Sequence, residues 1–192
     1  RERSAERHIG RDGEFCGKWL SCMKFEGEIL RARLLDTGHL SAAENIAWDA
    51  ALLRASAVSE IPVLRFLRFC PSCVLVGRFQ SPRQEVRIDY VSANNIDINR
   101  RITGGGAIYF DSSQLGWEVF GNKRSVFHGR IRRDIYRKLC EPVCEALGGY
   151  GISACFRPRN DIEVSGRKIS GTGGVDDGDG FMFQGTLLYD NC

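Results

Sequence analysis

The chain has 192 residues, of which 43% are hydrophobic and 27% are charged, as is ordinary for a globular protein. This length can bury a sizeable core and predicts a single folded domain rather than several. The formal net charge of +3 is too small to indicate nucleic acid binding. No apolar run approaches the roughly 18 residues that a membrane-spanning helix needs. We therefore expect neither nucleic acid nor a membrane as a partner.

The eight cysteines of the chain favour reduced thiols in a cytoplasmic protein. Residues 1–14 are rich in charge and lack the pattern of a secretory signal peptide. Cys70 and Cys73 have the spacing of a metal knuckle, but the sequence has no second pair with this spacing to complete a zinc site. Cys140 and Cys144 lie one helical turn apart, as two thiols on one core-facing stripe would. We therefore predict a cytoplasmic location.

Strand and helix patterns alternate along the chain. In chain order, the predicted elements are a strand over residues 28–36, a helix over 41–57, strands over 63–69 and 74–76, a strand pair over 107–110 and 115–120, a helix over 127–147, and a closing strand pair over 161–164 and 181–189. Ser41-Ala42-Ala43-Glu44 is a capping box that opens the first helix. Pro142 would kink or split the second helix. This order predicts an α+β (α/β) fold with a mixed, largely antiparallel sheet and flanking helices.

Two glycine-rich segments, each beside a cation, are the most informative feature of the sequence. Residues 100–111 read RRITGGGAIYFD, and residues 166–174 read GRKISGTGG. We expect both to be loops, the second between the closing strands. Glycine lets backbone N–H groups approach an anion closely, and a neighbouring Arg or Lys supplies the countercharge. Two such segments in one short chain predict a site for a phosphate or an acyl phosphate.

The order and spacing of four motifs resemble those of the lipoate–protein ligase family. The motifs are GRFQSP at residues 77–82, RRITGGGAIYFD at 100–111, RNDIEVSGRKISGTGG at 159–174 and QGTLL at 184–188. The resemblance implies the biotin/lipoate ligase catalytic fold, which is similar to class II aminoacyl-tRNA synthetases. It also implies a catalytic domain over residues 29–192 that is incomplete at its C-terminus, preceded by a poorly defined N-terminal extension over residues 1–28. Family members often add an accessory ligase domain, sometimes as a separate chain.

The resemblance implies that lipoate or octanoate is activated with ATP and Mg²⁺ to an acyl-adenylate and passed to a lysine of an acceptor lipoyl domain. Lys168 matches the catalytic lysine of the family, and a compact, rotatable cation suits this role. Asp161 is the candidate Mg²⁺ ligand, because this hard cation prefers carboxylate oxygens. A turn-capping Asn-Asp is the alternative for Asn160 and Asp161. The expected ATP or adenylate contacts are Arg101, Gly106, Ala107, Ile108, Tyr109, Asn160, Asp161 and Lys168. The expected lipoate contacts are Thr103, Gly104, Gly105, Lys168, Ser170 and Gly171.

The chain also departs from the family pattern. Phe110 and Gln184 stand where many members have histidine, and the residues after Asp111 differ from the usual Gly-Asn-x-Asn. These departures leave the charge-stabilising residues in place and indicate a divergent subfamily.

Cys155, followed by Phe156, supports a second hypothesis. Cysteine-dependent octanoyltransferases share the fold and place a nucleophilic Cys, often followed by Phe, ahead of the second glycine-rich segment. They take octanoate from acyl carrier protein as a thioester and need no ATP. A thiolate is a competent nucleophile for that step. A third hypothesis is a non-catalytic domain that binds lipoyl-adenylate, against which the presence of Lys168 argues.

Overall fold

A computed structural model of the chain describes residues 19–25, 28–127 and 132–189. The strands in these ranges are β1 (Trp19–Phe25), β2 (Glu28–Leu40), β3 (Val63–Phe69), β4 (Cys73–Val76), β5 (Asp97–Arg100), β6 (Ile108–Phe110), β7 (Gln114–Asn122), β8 (Ala154–Arg157), β9 (Asp161–Val164), β10 (Arg167–Asp177) and β11 (Gly180–Leu188). The helices are α1 (Ala42–Ser56), α2 (Pro82–Glu85), α3 (Ile88–Ala93), α4 (Lys123–Phe127) and α5 (Arg132–Gly148). No helix in the part of the chain so described is long and apolar enough to cross a membrane.

The strands form two sheets. The larger sheet has eight strands in the order β1-β2-β3-β7-β11-β10-β9-β8, and the smaller has the order β5-β4-β6. Within the larger sheet only β2 and β3 are parallel. In the smaller sheet β4 runs parallel to β5 and antiparallel to β6. The predicted fold, a mixed and largely antiparallel sheet with flanking helices, is confirmed.

Helix α1 begins as the capping box predicts. The backbone N–H of Glu44 donates to Ser41 Oγ at 3.3 Å, and the N–H of Ser41 donates to Glu44 Oε2 at 3.0 Å. These bonds satisfy N–H groups that the first turn of a helix leaves without partners. Asn45, Asp49 and Leu53 are buried on the face that α1 turns toward the larger sheet.

Helix α5 covers the opposite face of the larger sheet. Leu139 and Cys140 of this helix join Trp117, Phe181 and Phe183 in one buried apolar cluster. The proline predicted to kink or split this helix lies inside α5, which continues to Gly148. Packing of the helix against the sheet offsets the hydrogen bond that proline cannot donate. The first residue of the predicted helix, Phe127, ends α4, and residues 128–131 lie outside the described residues.

The predicted strand pair over residues 107–110 and 115–120 is wrong in its pairing. Strand β6 pairs with β4 in the smaller sheet, while β7 lies between β3 and β11 in the larger one. The alternating pattern identifies each strand, but the choice of partner depends on residues far away in the chain.

The second glycine-rich segment is a strand rather than the predicted loop. It forms most of β10, which lies between β9 and β11, so these two predicted strands do not pair with each other. Glycine weakens a strand but allows close backbone approach. At Gly174, a Cβ atom would lie 3.0 Å from the carbonyl oxygen of Met182. Strand β1, which falls within the predicted N-terminal extension, pairs with β2. Residues 1–18 lie outside the described residues, and the domain boundaries remain a prediction.

Candidate active site

A cavity of about 550 Å³ lies between the first glycine-rich segment and the face of the larger sheet that carries α1. Apolar walls come from α1, β3, β4 and β11, through Ile46, Leu67, Phe69, Leu75 and Leu188. Both glycine-rich segments contribute to the lining. The cavity is therefore partly apolar and partly edged by backbone, which suits a ligand with an apolar part and an anionic part.

Arg101 fixes the shape of the first glycine-rich segment by hydrogen bonds to its backbone carbonyls. Its side chain is buried, and Nη1 donates to the carbonyl of Leu75 at 2.8 Å. Nη2 donates to the carbonyls of Gly104 and Gly106 at 2.8 and 2.6 Å. Burial lowers the pKa of this guanidinium, which nevertheless remains a cation at neutral pH. Arg101 thus lines the cavity while holding the segment's own carbonyls, and its contact with ATP remains a prediction.

Backbone contact fixes the position of this segment. Gly105 has φ +100°, and a Cβ at Gly77 would lie 2.0 Å from the carbonyl oxygen of Gly105. Arg100 Nη1 donates to the carbonyls of Gly77 and Gln80, at 3.0 and 2.6 Å. The motif at residues 77–82 therefore packs against the backbone of the glycine-rich segment. Glycine is needed at position 77, because a side chain there would clash with the carbonyl of Gly105.

Gln184 connects the floor of the cavity to the same segment. Its Nε2 atom donates to Thr103 Oγ1 at 3.0 Å, across 81 residues of sequence. Both residues line the cavity, and Thr103 is buried. The sequence marked Gln184 only as a departure from the family pattern, so its role as a site residue was missed. Its place in the QGTLL motif was the available signal.

Lys168 lies on β10 beside the cavity, with 53% of its side chain exposed. Its Nζ atom forms an ion pair with Asp161 Oδ1 at 2.7 Å. A Cβ at Gly171 would lie 3.1 Å from Nζ, so the absence of a side chain at this position leaves room for the lysine. Asn160 also lines the cavity, but its Nδ2 atom donates to the Thr172 carbonyl at 2.8 Å and holds the beginning of β9 against β10.

The structure brings most of the predicted site residues to the cavity. The lining includes Arg101, Thr103, Gly104, Gly105, Gly106, Ala107, Ile108, Tyr109, Asn160, Lys168 and Gly171. Asp161 is not part of the lining but touches it through Lys168. Ser170 is buried opposite Ile162, on the face of the sheet that packs against α5, and is not part of the lining. The roles assigned to these residues remain predictions.

Cys155 lies on β8, exposed, two strands away from Lys168. The strand register places Cys155 opposite Glu163, and Glu163 opposite Lys168. Directly opposed residues of a sheet point to the same face, so all three side chains share the face that carries the cavity. With adjacent strands about 4.8 Å apart, the Cα atoms of Cys155 and Lys168 are roughly 10 Å apart. Arg157 Nη1 lies 2.6 Å from Glu163 Oε1 on this face.

A buried charge cluster at the cavity was not anticipated from the sequence. Arg65 is fully buried, and its Nη1 atom lies 2.7 Å from Asp49 Oδ1 and 3.0 Å from Glu118 Oε2. Both carboxyl groups line the cavity. Burial raises the pKa of Asp49 to about 6 and raises that of Glu118 well above its ordinary value. The signal in the sequence was a charged residue inside each of two largely apolar strands, Arg65 in β3 and Glu118 in β7.

No group of three or more His, Cys, Asp or Glu side chains able to hold a metal ion occurs in the described ranges 19–25, 28–127 and 132–189. Asp161 is paired with Lys168, and Glu163 lies opposite Lys168 on the neighbouring strand. Mg²⁺ bound with a nucleotide commonly uses one or two protein carboxylates together with phosphate oxygens and water. The donor set around Asp161 fits that mode of binding.

The lipoyl protein ligase A/B catalytic domain family matches residues 41–192. The chain is 33% identical over 148 residues to lipoate–protein ligase 1 of Staphylococcus aureus, and this match covers 77% of this chain and 43% of the relative. It is 31% identical over 182 residues to octanoyltransferase LipM of Symbiobacterium thermophilum, and this match covers 82% of this chain and 65% of the relative. The chain thus spans less than two thirds of the length of these curated relatives.

Solved structures show the same fold. The chain matches a bi-partite lipoate protein ligase from Thermoplasma acidophilum with a TM-score of 0.76 and 28% identity, covering 85% of this chain and 63% of that one. It matches a lipoate-protein ligase A bound with ATP with a TM-score of 0.74 and 27% identity, covering 84% of this chain and 68% of that one. The likeness to the biotin/lipoate ligase catalytic fold, expected from four sequence motifs, is confirmed.

Proposed function

Because the chain belongs to the lipoyl protein ligase A/B catalytic domain family, we propose that it is the catalytic part of an ATP-dependent lipoate–protein ligase. Its substrate would be lipoate or octanoate, and its acceptor a lysine of a lipoyl domain. The observation that carries the proposal is the position of Lys168, half exposed beside a partly apolar cavity that both glycine-rich segments line.

The proposed reaction has two steps. In the first, a carboxylate oxygen of the acid attacks the α-phosphorus of ATP, and pyrophosphate leaves. In the second, the amine of the acceptor lysine attacks the acyl carbonyl of the adenylate, loses a proton and releases AMP. Negative charge develops on phosphate and carbonyl oxygens in both steps, and a fixed cation with aimed N–H groups stabilises it. Lys168 would supply the cation, and the backbone of Gly104, Gly105 and Gly106 would supply N–H groups.

The ion pair between Lys168 and Asp161 sets the starting state of this chemistry. A bound acid and nucleotide would compete with Asp161 for the lysine. Asp161 would then be free to hold Mg²⁺ that arrives with ATP, and the ion would neutralise phosphate charge. Asn160, which lines the cavity beside Lys168, would lie near the adenylate.

A cysteine-dependent octanoyltransferase is the second candidate function. It is favoured by the shared sheet face of Cys155 and Lys168, two strands apart, and by the similarity to octanoyltransferase LipM. In that reaction the Cys155 thiolate would attack an octanoyl thioester of a carrier protein and release the carrier thiol. The acceptor lysine would then attack the new thioester, and the Cys155 thiol would be regained. ATP is not consumed.

The proposed partners follow from the same relatives. The Thermoplasma acidophilum ligase is bi-partite and is described together with its E2 lipoyl domain. We propose a lipoyl domain as the acceptor for this chain and a separate accessory ligase domain as a second partner.

Intact-mass spectrometry of a lipoyl-domain acceptor tests both candidates. The acceptor is incubated with this chain, with and without an accessory ligase domain, in two parallel reactions. One contains lipoate or octanoate with Mg-ATP, and the other contains octanoyl-carrier protein without ATP. An acyl mass shift in the first reaction alone supports the ligase. A shift in the second reaction alone contradicts it and supports the transferase.

A further inference from the structure

The charge cluster of Asp49, Arg65 and Glu118 has no part in the chemistry proposed above, yet every nitrogen of the Arg65 guanidinium has a hydrogen-bond partner. The Arg65 guanidinium contacts both carboxyls through Nη1, Asn45 Oδ1 through Nη2 at 2.5 Å, and Thr37 Oγ1 through Nε at 3.2 Å. Burying three ionisable groups is costly unless each is paired and hydrogen-bonded. A group of side chains bound in this way cannot move aside easily for a ligand.

The cluster sets two carboxyl groups against one guanidinium. Burial raises the pKa of Glu118 well above its ordinary value, and the negative charge of Asp49 raises it further. Burial also raises the pKa of Asp49 to about 6. The cavity therefore meets a polar wall whose only cation, Arg65, is already paired with both carboxyl groups and hydrogen-bonded to Asn45 and Thr37.

The register of the sheet places this wall at the buried end of the cavity. Arg65, Glu118, Gln184 and Gly173 form one row across β3, β7, β11 and β10. Lys168 lies on β10 five residues before Gly173, which corresponds to roughly 15 Å along the strand. Lys168 is half exposed, whereas the cluster is buried, so these residues mark the open and closed ends of the cavity.

A ligand whose carboxylate lies at Lys168 would direct its other end toward the cluster. We propose that Asp49, Arg65 and Glu118 form an end wall that determines specificity, accepting an uncharged acyl tail of limited length and rejecting a tail that ends in a second carboxylate. A terminal carboxylate would lose its hydration there and meet the charge of Asp49 while Arg65 is already paired. An apolar tail needs no partner and gains by leaving water. This inference rests on the proposed function, since it takes the cavity as an acyl site.

The test is isothermal titration calorimetry with octanoate and octanedioate, which have the same carbon count and differ in the terminal charge. The double variant Asp49→Asn with Glu118→Gln leaves Arg65 as an unpaired cation beside the cavity. We expect the preference for octanoate over octanedioate to fall by about tenfold or more in this variant, because the unpaired cation attracts the terminal carboxylate. The matched control, Glu85→Gln with Asp89→Asn, removes the same two formal charges from exposed positions and keeps the wild-type preference.

The wild-type protein provides a test that does not depend on whether the double variant folds. Affinity for straight-chain monocarboxylates is expected to rise with length and then to fall once the tail reaches the wall, and octanedioate is expected to bind about tenfold or more weakly than octanoate. Equal binding of octanoate, dodecanoate and octanedioate would overturn the proposed end wall but leave the proposed acyl site standing. Absence of binding by every acid would overturn the proposed acyl site and the wall with it.

Discussion

The Nζ atom of Lys168 lies 2.7 Å from Oδ1 of Asp161, although both side chains remain partly exposed at 53% and 23%. The Oδ1 atom of Asp161 is itself buried, so Lys168 is the more exposed partner of the pair. An incoming phosphate or carboxylate that takes Lys168 would leave this oxygen without its cation unless another partner replaces the lysine. The pair holds the lysine beside the cavity.

Replacing Lys168 with alanine is expected to reduce acyl-adenylate formation by about 100-fold or more, because one charge-stabilising donor is commonly worth that much. Pyrophosphate release in the presence of lipoate and Mg-ATP measures this step. Lys123→Ala is the matched control, since Lys123 is also partly exposed and lies 3.9 Å from a carboxylate, Asp176 Oδ2. A Lys168→Ala variant with the wild-type rate would contradict the proposed role.

Cys155→Ser separates the two candidate functions. If the chain is a ligase, the variant should modify the acceptor at nearly the wild-type rate with ATP and free acid. The control is Cys144→Ser, a less exposed cysteine of α5 on the opposite face of the sheet. Acyl transfer from a carrier protein that disappears in Cys155→Ser but persists in Cys144→Ser would favour the transferase instead.

The buried thiols of Cys73 and Cys140 should react more slowly than the exposed thiol of Cys155. Burial raises the pKa of Cys73 and of Cys140 to about 12. Their thiolate fraction should then be about one in a thousand even at pH 9, because each unit between pH and pKa is a factor of ten. Iodoacetamide labelling of the folded protein, read by peptide mass spectrometry, should modify exposed Cys155 and spare these two between pH 7 and 9. Labelling of Cys73, Cys140 and Cys155 at similar rates would contradict the burial of the first two thiols.

Gly105→Ala is expected to destabilise the first glycine-rich segment by about 1–2 kcal/mol, because φ is +100° and a side chain there is strained. A Cβ at this position would also lie 3.0 Å from Arg101 Nη2. Gly104→Ala is the control, since a Cβ there meets no atom within 4 Å. Urea unfolding and octanoate affinity of the two variants should differ, and equal losses in both would count against the conformational reason.

Arg65→Ala is expected to lower the free energy of unfolding by about 3–5 kcal/mol, the usual result of removing one partner from a buried ion pair. The loss leaves the carboxyls of Asp49 and Glu118 without their cation. Arg54→Ala, at an exposed position of α1, should change stability by less than about 0.5 kcal/mol. Chemical denaturation gives both values, and a small effect at Arg65 would show that the cluster contributes little.

Local signals of the sequence predicted local structure well. The capping box of Ser41 and Glu44 forms as expected, and the strand predicted over residues 63–69 is β3 (Val63–Phe69). These features depend on interactions between residues a few positions apart, which a linear pattern contains. The glycine-rich segments, with their neighbouring cations, also indicated the correct part of the chain for the candidate site.

Tertiary structure decided what those segments do. The sequence could not show that β6 pairs with β4, or that GRKISGTGG lies in a strand whose Gly171 leaves room for Lys168. Nor could it show that Arg65 and Glu118, 53 residues apart, form a buried ion pair beside the cavity that Glu118 lines. Strand partners and the burial of charge are set by groups distant in sequence, whose contacts form only when the sheets assemble. The sequence by itself therefore determined many of the helices and strands, the family and the chemistry to expect, while the folded chain decided which strands pair and what shape and polarity the cavity has.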